Sequence, residues 1–433
     1  MTPAPQALWE LALRHLHLLR RPFGFAATTG EAGLYDTLFG RDSLWMLLLL
    51  LEAARSCPDE SFALWLEAAA RDILGALAEH QGQRRNDAIE EQPGKILHEY
   101  RADLDGRLRA MGLVFCEGRS FAGFDQTFLF VVALCRLARD ERFGHLAAAA
   151  GGALGRALAW IERDADEDGD GLYEYSRRDP RNLLHQAWRD SYDSVTAHGA
   201  DVPRPPVAWL SVQAYAYRAL RDAAALKRAQ GELETAGGLD ARADDLQGRV
   251  ERAFWMEEED CYAIALDGRK LWVPMVSSDA GHALWAGLPD EPRAERLVRR
   301  LLRPDMATPY GVRSLSSRSP FYAPFAYHRG GVWPFDNAIL AIGLRRYGFA
   351  AEAERVMQNV AEAVARFGSP VELYVVLDGD LLAPPAADSG PLLLSRRSPP
   401  ENPVQGWTAA ALAFMAAAMA GADGIAVGSG GDG

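Results

Sequence analysis

Residues 183–195 read LLHQAWRDSYDSV and crowd Gln186, Trp188, Arg189, Asp190 and Asp193 into one short stretch. Two carboxylates a helical turn apart, beside a guanidinium and an indole, are a grouping that suits proton transfer. Six further segments have the same character: LFGRDS (38–43), PGKILHEYR (93–101), FAGFDQT (121–127), YHRGGVWPFDN (327–337), SPVELYVV (369–376) and NPVQGW (402–407). They contribute Arg41, Asp42, Lys95, His98, Glu99, Arg101, Asp125, His328, Trp333, Asp336, Glu372, Gln405 and Trp407. Aromatic faces suit the C–H surface of a sugar ring, and carboxylates, amides and guanidinium forks suit neighbouring hydroxyls. Phosphate chemistry is not indicated: there is no GxxxxGK[ST] loop and no GxGxxG after a strand.

These segments fall between helices. Apolar residues recur at helical spacing near 5–20, 42–56, 60–80, 125–139, 144–163, 203–222, 236–256, 277–286, 290–302, 334–346, 349–366 and 404–420, which predicts twelve helices. Links alternate. CPDE, DERF, GLPD and YGFA are short, the link at 222–236 is intermediate, and those at 21–41, 81–124, 164–202, 257–276, 303–333 and 367–403 are long. Short links make antiparallel hairpins, so six hairpins put all six long loops at one end. Without the self-similar period of a solenoid, the expected fold is an all-α (α/α)6 barrel. It spans 1–420 as a single domain, with 421–433 a disordered tail.

Composition narrows the partners. The chain has 433 residues, 49% of them hydrophobic, and a formal charge of −13, which argues against a duplex nucleic-acid binder. Cys57, Cys116, Cys135 and Cys261 stand at no metal-like spacing and read as buried thiols. The opening MTPAPQALWELALRHLHLLRRPF reads as an amphipathic helix rather than a secretory signal. No apolar run approaches the ~20 residues of a membrane span. The expectation is a cytoplasmic protein without cofactor or metal, whose partner is a neutral carbohydrate.

The collinear set FGRDS, PGKILHEYR, DGDGLYEYSRR, QAWRDSYDS, DAGHALWAG, YGVRSLSS and YHRGGVWPFDNAILAIGLRRYGF resembles the amylo-α-1,6-glucosidase catalytic domain of glycogen debranching enzymes, over about residues 36–410. The resemblance implies a barrel related to glucoamylase and trehalase, acting on α-glucosides with inversion. Inversion takes one carboxylic acid and one carboxylate about 6.5–9.5 Å apart. Similarity to the debranching motif, and a trehalase-like Trp closely followed by Asp, points to Asp190 as the acid; Trp188 would dry its surroundings and raise its pKa. Asp193 is the competing acid. The plainer alternative is that Asp190 caps a helix and Asp193 pairs with Arg189. For the base the resemblance points to Glu372, although Val371 separates it from Pro370; Glu401 is the runner-up. Arg41 and Asp42, opening a helix, are assigned to the hydroxyls of a terminal glucose. Lys95, His98, Glu99, Arg101, Asp125, Gln186, Trp188, Arg189, Asp193, His328, Trp333, Asp336, Gln405 and Trp407 are expected to line the same wall.

Several features depart from that pattern. Asp279 stands where the debranching motif carries Asn, and Arg329 and Gly331 where it carries Asn and Ser, which suggests altered outer subsites. The β-rich domain and the glucanotransferase domain of the two-activity debrancher are not in the sequence, so a small α-glucoside such as glucosylglycerate, trehalose or sucrose is an alternative substrate, and a non-catalytic sugar-binding barrel an alternative role. The alternation of Asp164, Asp166 and Asp168 before Gly169 invites a calcium loop, but the bidentate Glu required at the twelfth position is Tyr175 or Arg177 in the two frames. It reads instead as an Asp-Gly turn.

Overall fold

The computed structural model describes residues 3–28, 35–57, 59–102, 114–150, 152–195, 202–382 and 404–421. Its helices are α1 (Pro5–Leu19), α2 (Gly40–Ser56), α3 (Glu60–Glu79), α4 (Gln126–Ala138), the single turn α5 (Leu146–Ala149), α6 (Ala153–Arg163), α7 (Leu210–Ala229), α8 (Leu233–Ala253), α9 (Asp279–Ala286), α10 (Glu291–Leu301), α11 (Pro334–Arg346), α12 (Ala350–Phe367) and α13 (Gly406–Ala420). Going round, α2 packs on α4, α4 on α7, α7 on α9, α9 on α11, α11 on α13, and α13 back on α2. That ring is closed. Outside it, α3 lies on α2, α6 on α4, α8 on α7, α10 on α9, α12 on α11 and α1 on α13. This is the (α/α)6 barrel.

Side-chain pattern sorts the layers. Helix α12 buries Ala353, Val356, Met357, Val360, Ala361 and Val364, the single stripe of a helix covered on one side. Helix α13 buries every residue from Gly406 to Ala417, as a helix surrounded on all sides must. Its alanines, and glycines elsewhere in the ring, set how closely the inner helices approach. A Cβ on Gly343 of α11 would stand 2.7 Å from Leu284 Cβ and 2.7 Å from the Trp285 amide nitrogen of α9.

Four expected boundaries shift. The helix expected at 203–222 begins at Leu210, because Pro203, Pro205 and Pro206 cannot feed helical hydrogen bonds, and Ala208–Trp209 is a strand. It then runs to Ala229, so the intermediate link shrinks to residues 230–232. The helix expected at 236–256 is Leu233–Ala253. The helix expected at 144–163 is cut in two, with Gly152 in the left-handed region at φ 76°. Residues 422–433, expected to be a tail, lie outside the described residues, as does Glu401. Among the described residues no helix is long and apolar enough to cross a membrane.

The long loops are sewn to one another around the mouth. Leu38–Phe39 pairs with Glu99–Tyr100, joining the first loop to the second. The Phe124 amide donates to the Gln186 carbonyl, joining second to third. Ala208–Trp209 pairs with Ala265–Leu266, and single bridges follow at Ser277–Leu315, Val332–Tyr374 and Thr28–Gln405. All six therefore meet at one end.

Candidate active site

Four inner helices open with a carboxylate: Asp42 in the first turn of α2, Asp125 just before α4, Asp279 at the start of α9 and Asp336 in the first turn of α11. A helix N-terminus favours negative charge, and the four divide by direction. Asp279 and Asp336 point into packing. Asp279 accepts from Trp188 Nε1 at 3.0 Å and Arg189 Nε at 2.5 Å; burial opposes its ionisation, yet Arg189 holds it below the usual carboxylate range. Arg189 also donates to the His328 and Ser314 carbonyls at 2.8 and 2.7 Å and to Ser278 Oγ at 2.8 Å. Asp336 accepts from His282 Nε2 at 2.8 Å, and Tyr215 Oη bonds the other ring nitrogen at 2.5 Å.

These contacts give four of the expected wall residues packing partners. Trp188, Arg189, Trp333 and Asp336 are all buried and form the structure behind the cleft. Trp188 stacks on His282, while His328 stacks on Trp333 at 5.1 Å. Asp279, expected to reshape an outer subsite, is instead the counter-charge of Arg189. Asp193 pairs with Arg329 at 3.0 Å rather than with Arg189.

The other two carboxylates flank Arg41. Arg41 Nε lies 3.0 and 2.8 Å from the two Asp125 oxygens, and its Nη1 reaches Asp190 Oδ2 at 2.9 Å. Asp190 keeps 28% of its side chain exposed; burial raises its pKa despite the pull of Arg41. Glu372, 4% exposed, accepts from Tyr327 Oη at 2.5 Å. Burial and then the charges of Glu372 and Asp190 raise two phenols, Tyr35 to about 12 and Tyr327 well above its ordinary value. Both phenols thus feel both carboxylates, which places Asp190 and Glu372 around the same pair of tyrosines. Asp42 is pushed up to about 6 by burial and is hydrogen-bonded to Gln405.

The remaining expected residues sit on the loop ladders. Glu99 pairs with Arg101 and is pushed up to about 7 by burial, while burial takes His98 down to about 3. Lys95, lowered to about 8 by burial, reaches the Glu90 carbonyl at 3.3 Å. Gln186 Nε2 donates to Glu90 Oε2 at 2.6 Å. His328, driven neutral by burial and Arg189, contacts Ser191 Oγ at 2.8 Å. Gln405 caps α13, and Trp407 stacks on Phe335 at 4.1 Å. Arg41 Nη2, His98 Nδ1, Gln186 Oε1, His328 Nε2 and Trp407 Nε1 are buried without a hydrogen-bond partner among the described residues. Unmade bonds of that mixed kind are what a sugar hydroxyl, donor and acceptor at once, can satisfy.

Comparison with known proteins fits this arrangement. Residues 65–380 match the model of the mannosylglycerate hydrolase MGH1-like glycoside hydrolase domain. The chain belongs to this glycoside hydrolase family. The match lies there rather than with the debranching domain in particular. A mannosylglycerate hydrolase of Thermus thermophilus is 37% identical over 94 residues, 22% of this chain and 23% of that protein. One from Rubrobacter radiotolerans is 29% identical over 147 residues, 33% of each. The chain thus matches only a quarter to a third of those relatives' lengths. A crystal structure of a GH63 mannosylglycerate hydrolase from Thermus thermophilus, in complex with Tris and D-glycerate, superimposes at TM-score 0.66 with 20% identity, covering 94% of this chain and 99% of that one. The same enzyme with glucose superimposes equally well at 21% identity. The neutral trehalase of Saccharomyces cerevisiae gives 0.59 at 16% identity, over 90% of this chain and 74% of its own.

Two residues of the cleft escaped sequence reasoning. Tyr327 opens a motif that was noted, but nothing in its neighbours announces a bond to a residue 45 positions on. Tyr35 stands in GLYDT, a stretch with no chemical signature at all.

Proposed function

We propose that this chain is an inverting hydrolase of a small α-linked hexoside, with Asp190 the general acid and Glu372 the general base, and that its aglycone is a short acidic alcohol of the glycerate kind. The observation that supports the reading is that Asp190 and Glu372 both act on the Tyr35 and Tyr327 phenols, with Arg41 bridging Asp190 to Asp125. In this reading Asp190, its pKa raised by burial, holds the proton given to the leaving oxygen. Glu372, which accepts a hydrogen bond from the Tyr327 hydroxyl, takes a proton from the attacking water. Asp42 and Gln405 grip the hexose hydroxyls. The aglycone is proposed from the relatives, whose names give mannosylglycerate as substrate, and from the D-glycerate held by one of them. They favour a small glycoside over the branched α-glucan suggested by the debranching resemblance.

The test is sugar release from mannosylglycerate, glucosylglycerate, trehalose, sucrose, maltose, isomaltose and limit dextrin, with the anomer of the first product read by NMR. The reading expects release from a hexosylglycerate, with a β-anomer formed first. Release only from isomaltose or limit dextrin would restore the debranching activity, and an α-anomer would refute inversion. Asp190→Asn is expected to abolish hydrolysis of the natural glycoside while sparing the corresponding glycosyl fluoride, whose leaving group needs little protonation. Glu372→Gln is expected to lose both.

A further inference from the structure

The acidic segment DADEDGDGLYEY takes no part in the cleft, yet it is tightly organised. Asp166 accepts from the Gly169 and Gly171 amides at 2.8 and 2.9 Å, Asp168 from the Asp170 amide at 3.2 Å, and Asp170 from the Leu172 amide at 2.9 Å. One oxygen each from Asp166, Asp168, Asp170 and Glu174 lies within 4.8 Å of the others. Four carboxylates so close repel one another unless a cation or a proton intervenes. A cation of the chain itself reaches three of them. Lys270 Nζ stands 3.0 Å from Asp168 Oδ2 and 3.0 Å from Asp170 Oδ2, and donates to Glu174 Oε2.

Lys270 is placed for this by its own hairpin. Ala265–Leu266 pairs with Trp272–Val273, and between them Lys270 takes a left-handed φ of 59°. The Gly268 amide ties the tip to the Arg204 carbonyl at 2.6 Å, and a Cβ there would stand 2.2 Å from the Pro205 oxygen. On the far side of the ammonium, Glu174 is buried, and burial pushes its pKa up to about 8. The next residue, Tyr175, accepts through Oη from the Gln186 amide at 2.6 Å and from Trp209 Nε1 at 3.1 Å. Gln186 lies four residues before Asp190.

We infer that Lys270 is a positioning residue for Asp190: its ammonium is the cation around which the acidic loop is built, and through Glu174 and Tyr175 it fixes the segment that carries the acid. The inference rests on Asp190 being the general acid. Without the ammonium, the acidic loop loses its side-chain tie to the 265–273 hairpin, and Tyr175 is left to the Val207 bridge and the Trp209 hydrogen bond to place the 186–190 segment. The carboxylates left behind form an oxygen-rich set of the kind a divalent cation accepts.

The test compares the wild type with Lys270→Met, Lys270→Arg, Asp168→Asn and Asp190→Asn on the glycoside identified by the substrate panel and on the fluoride of the same sugar. Lys270→Met is expected to lower kcat on the glycoside about ten- to a hundredfold, with KM little changed and turnover of the fluoride kept. Lys270→Arg is expected to restore most of the loss. Asp168→Asn, which removes one contact and serves if Lys270→Met does not fold, is expected to show a smaller loss of the same kind. Millimolar calcium chloride is expected to raise the melting temperature and the glycoside turnover of Lys270→Met, leaving the wild type unmoved. Equal losses on glycoside and fluoride in Lys270→Met and Asp168→Asn would reduce the lysine to a structural role and overturn the inference. A wild type stabilised by calcium as strongly as the variant would overturn it too. Asp190→Asn losing both substrates alike would instead remove the acid assignment, and this inference with it.

Discussion

At the scale of single residues, the cleft holds carboxyl groups the fold would rather keep neutral. Asp42 is pushed up to about 6 because burial outweighs the help of Arg41. A carboxyl whose folded-state pKa is raised binds its proton more tightly folded than unfolded. Its contribution to stability is therefore complete below about pH 4 and is lost as pH rises through about 6. Asp42→Asn is expected to raise the denaturation temperature at pH 7 and leave it unchanged at pH 4, while KM rises and kcat falls because a hydroxyl acceptor is gone. Melting curves at the two pH values check the first claim and steady-state kinetics the second. A variant no more stable at pH 7 than the wild type would show that Asp42 carries no such strain. Stability is here given up for a charge at the site, a common trade at binding positions.

At the scale of elements, what was legible in the sequence was what depends on period. The stripes of α3, α10 and α12 and the long apolar runs of α2, α4 and α13 follow from local composition, so twelve helices and their alternating links could be read directly. The motif segments did reach one end of the barrel, and Arg41, Asp42, Asp125, Asp190 and Glu372 are brought together there. What was not legible was direction. Asp279 and Asp336 occupy the same first-turn position as Asp42, and only the neighbouring helices decide that they point to Arg189 and His282. Trp188 and Arg189 likewise look no different in sequence from groups that touch a ligand. Asp279→Asn is expected to cost about 3–5 kcal/mol, since it leaves the Arg189 guanidinium buried without a counter-charge; urea denaturation checks this. A cost near zero would mean that the remaining neutral acceptors of Arg189 suffice.

At the scale of the whole molecule, the six inner helices run parallel, each beginning at the mouth and ending at the closed end. Their C-termini together bring about three negative charges' worth of dipole to that end. Five arginines gather there, Arg55, Arg136, Arg139, Arg218 and Arg346, against the carboxylates Glu52 and Asp222. Positive charge in this cluster has the sign that helix C-termini favour. Burial opposes the ionisation of Asp222, but Arg136, Arg218 and Arg139 hold its pKa below the ordinary value. Its stabilisation is thus present above about pH 4 and lost as pH falls below it. Asp222→Asn is expected to lower the melting temperature most at neutral pH and low salt, with the gap narrowing in high salt; a gap indifferent to both would show that the cluster is not electrostatic. Closure of the ring has a consequence in time. Helix α13 completes the wall by packing between α11 and α2, and Gln405, at its head, bridges to Thr28. During translation at about 5–20 residues per second, the apolar flank of α2 that α13 will cover stays bare for roughly 20–70 s after it leaves the ribosome. A nascent chain in that interval is an open trough rather than a barrel, and the ring of inner helices closes only when α13 arrives.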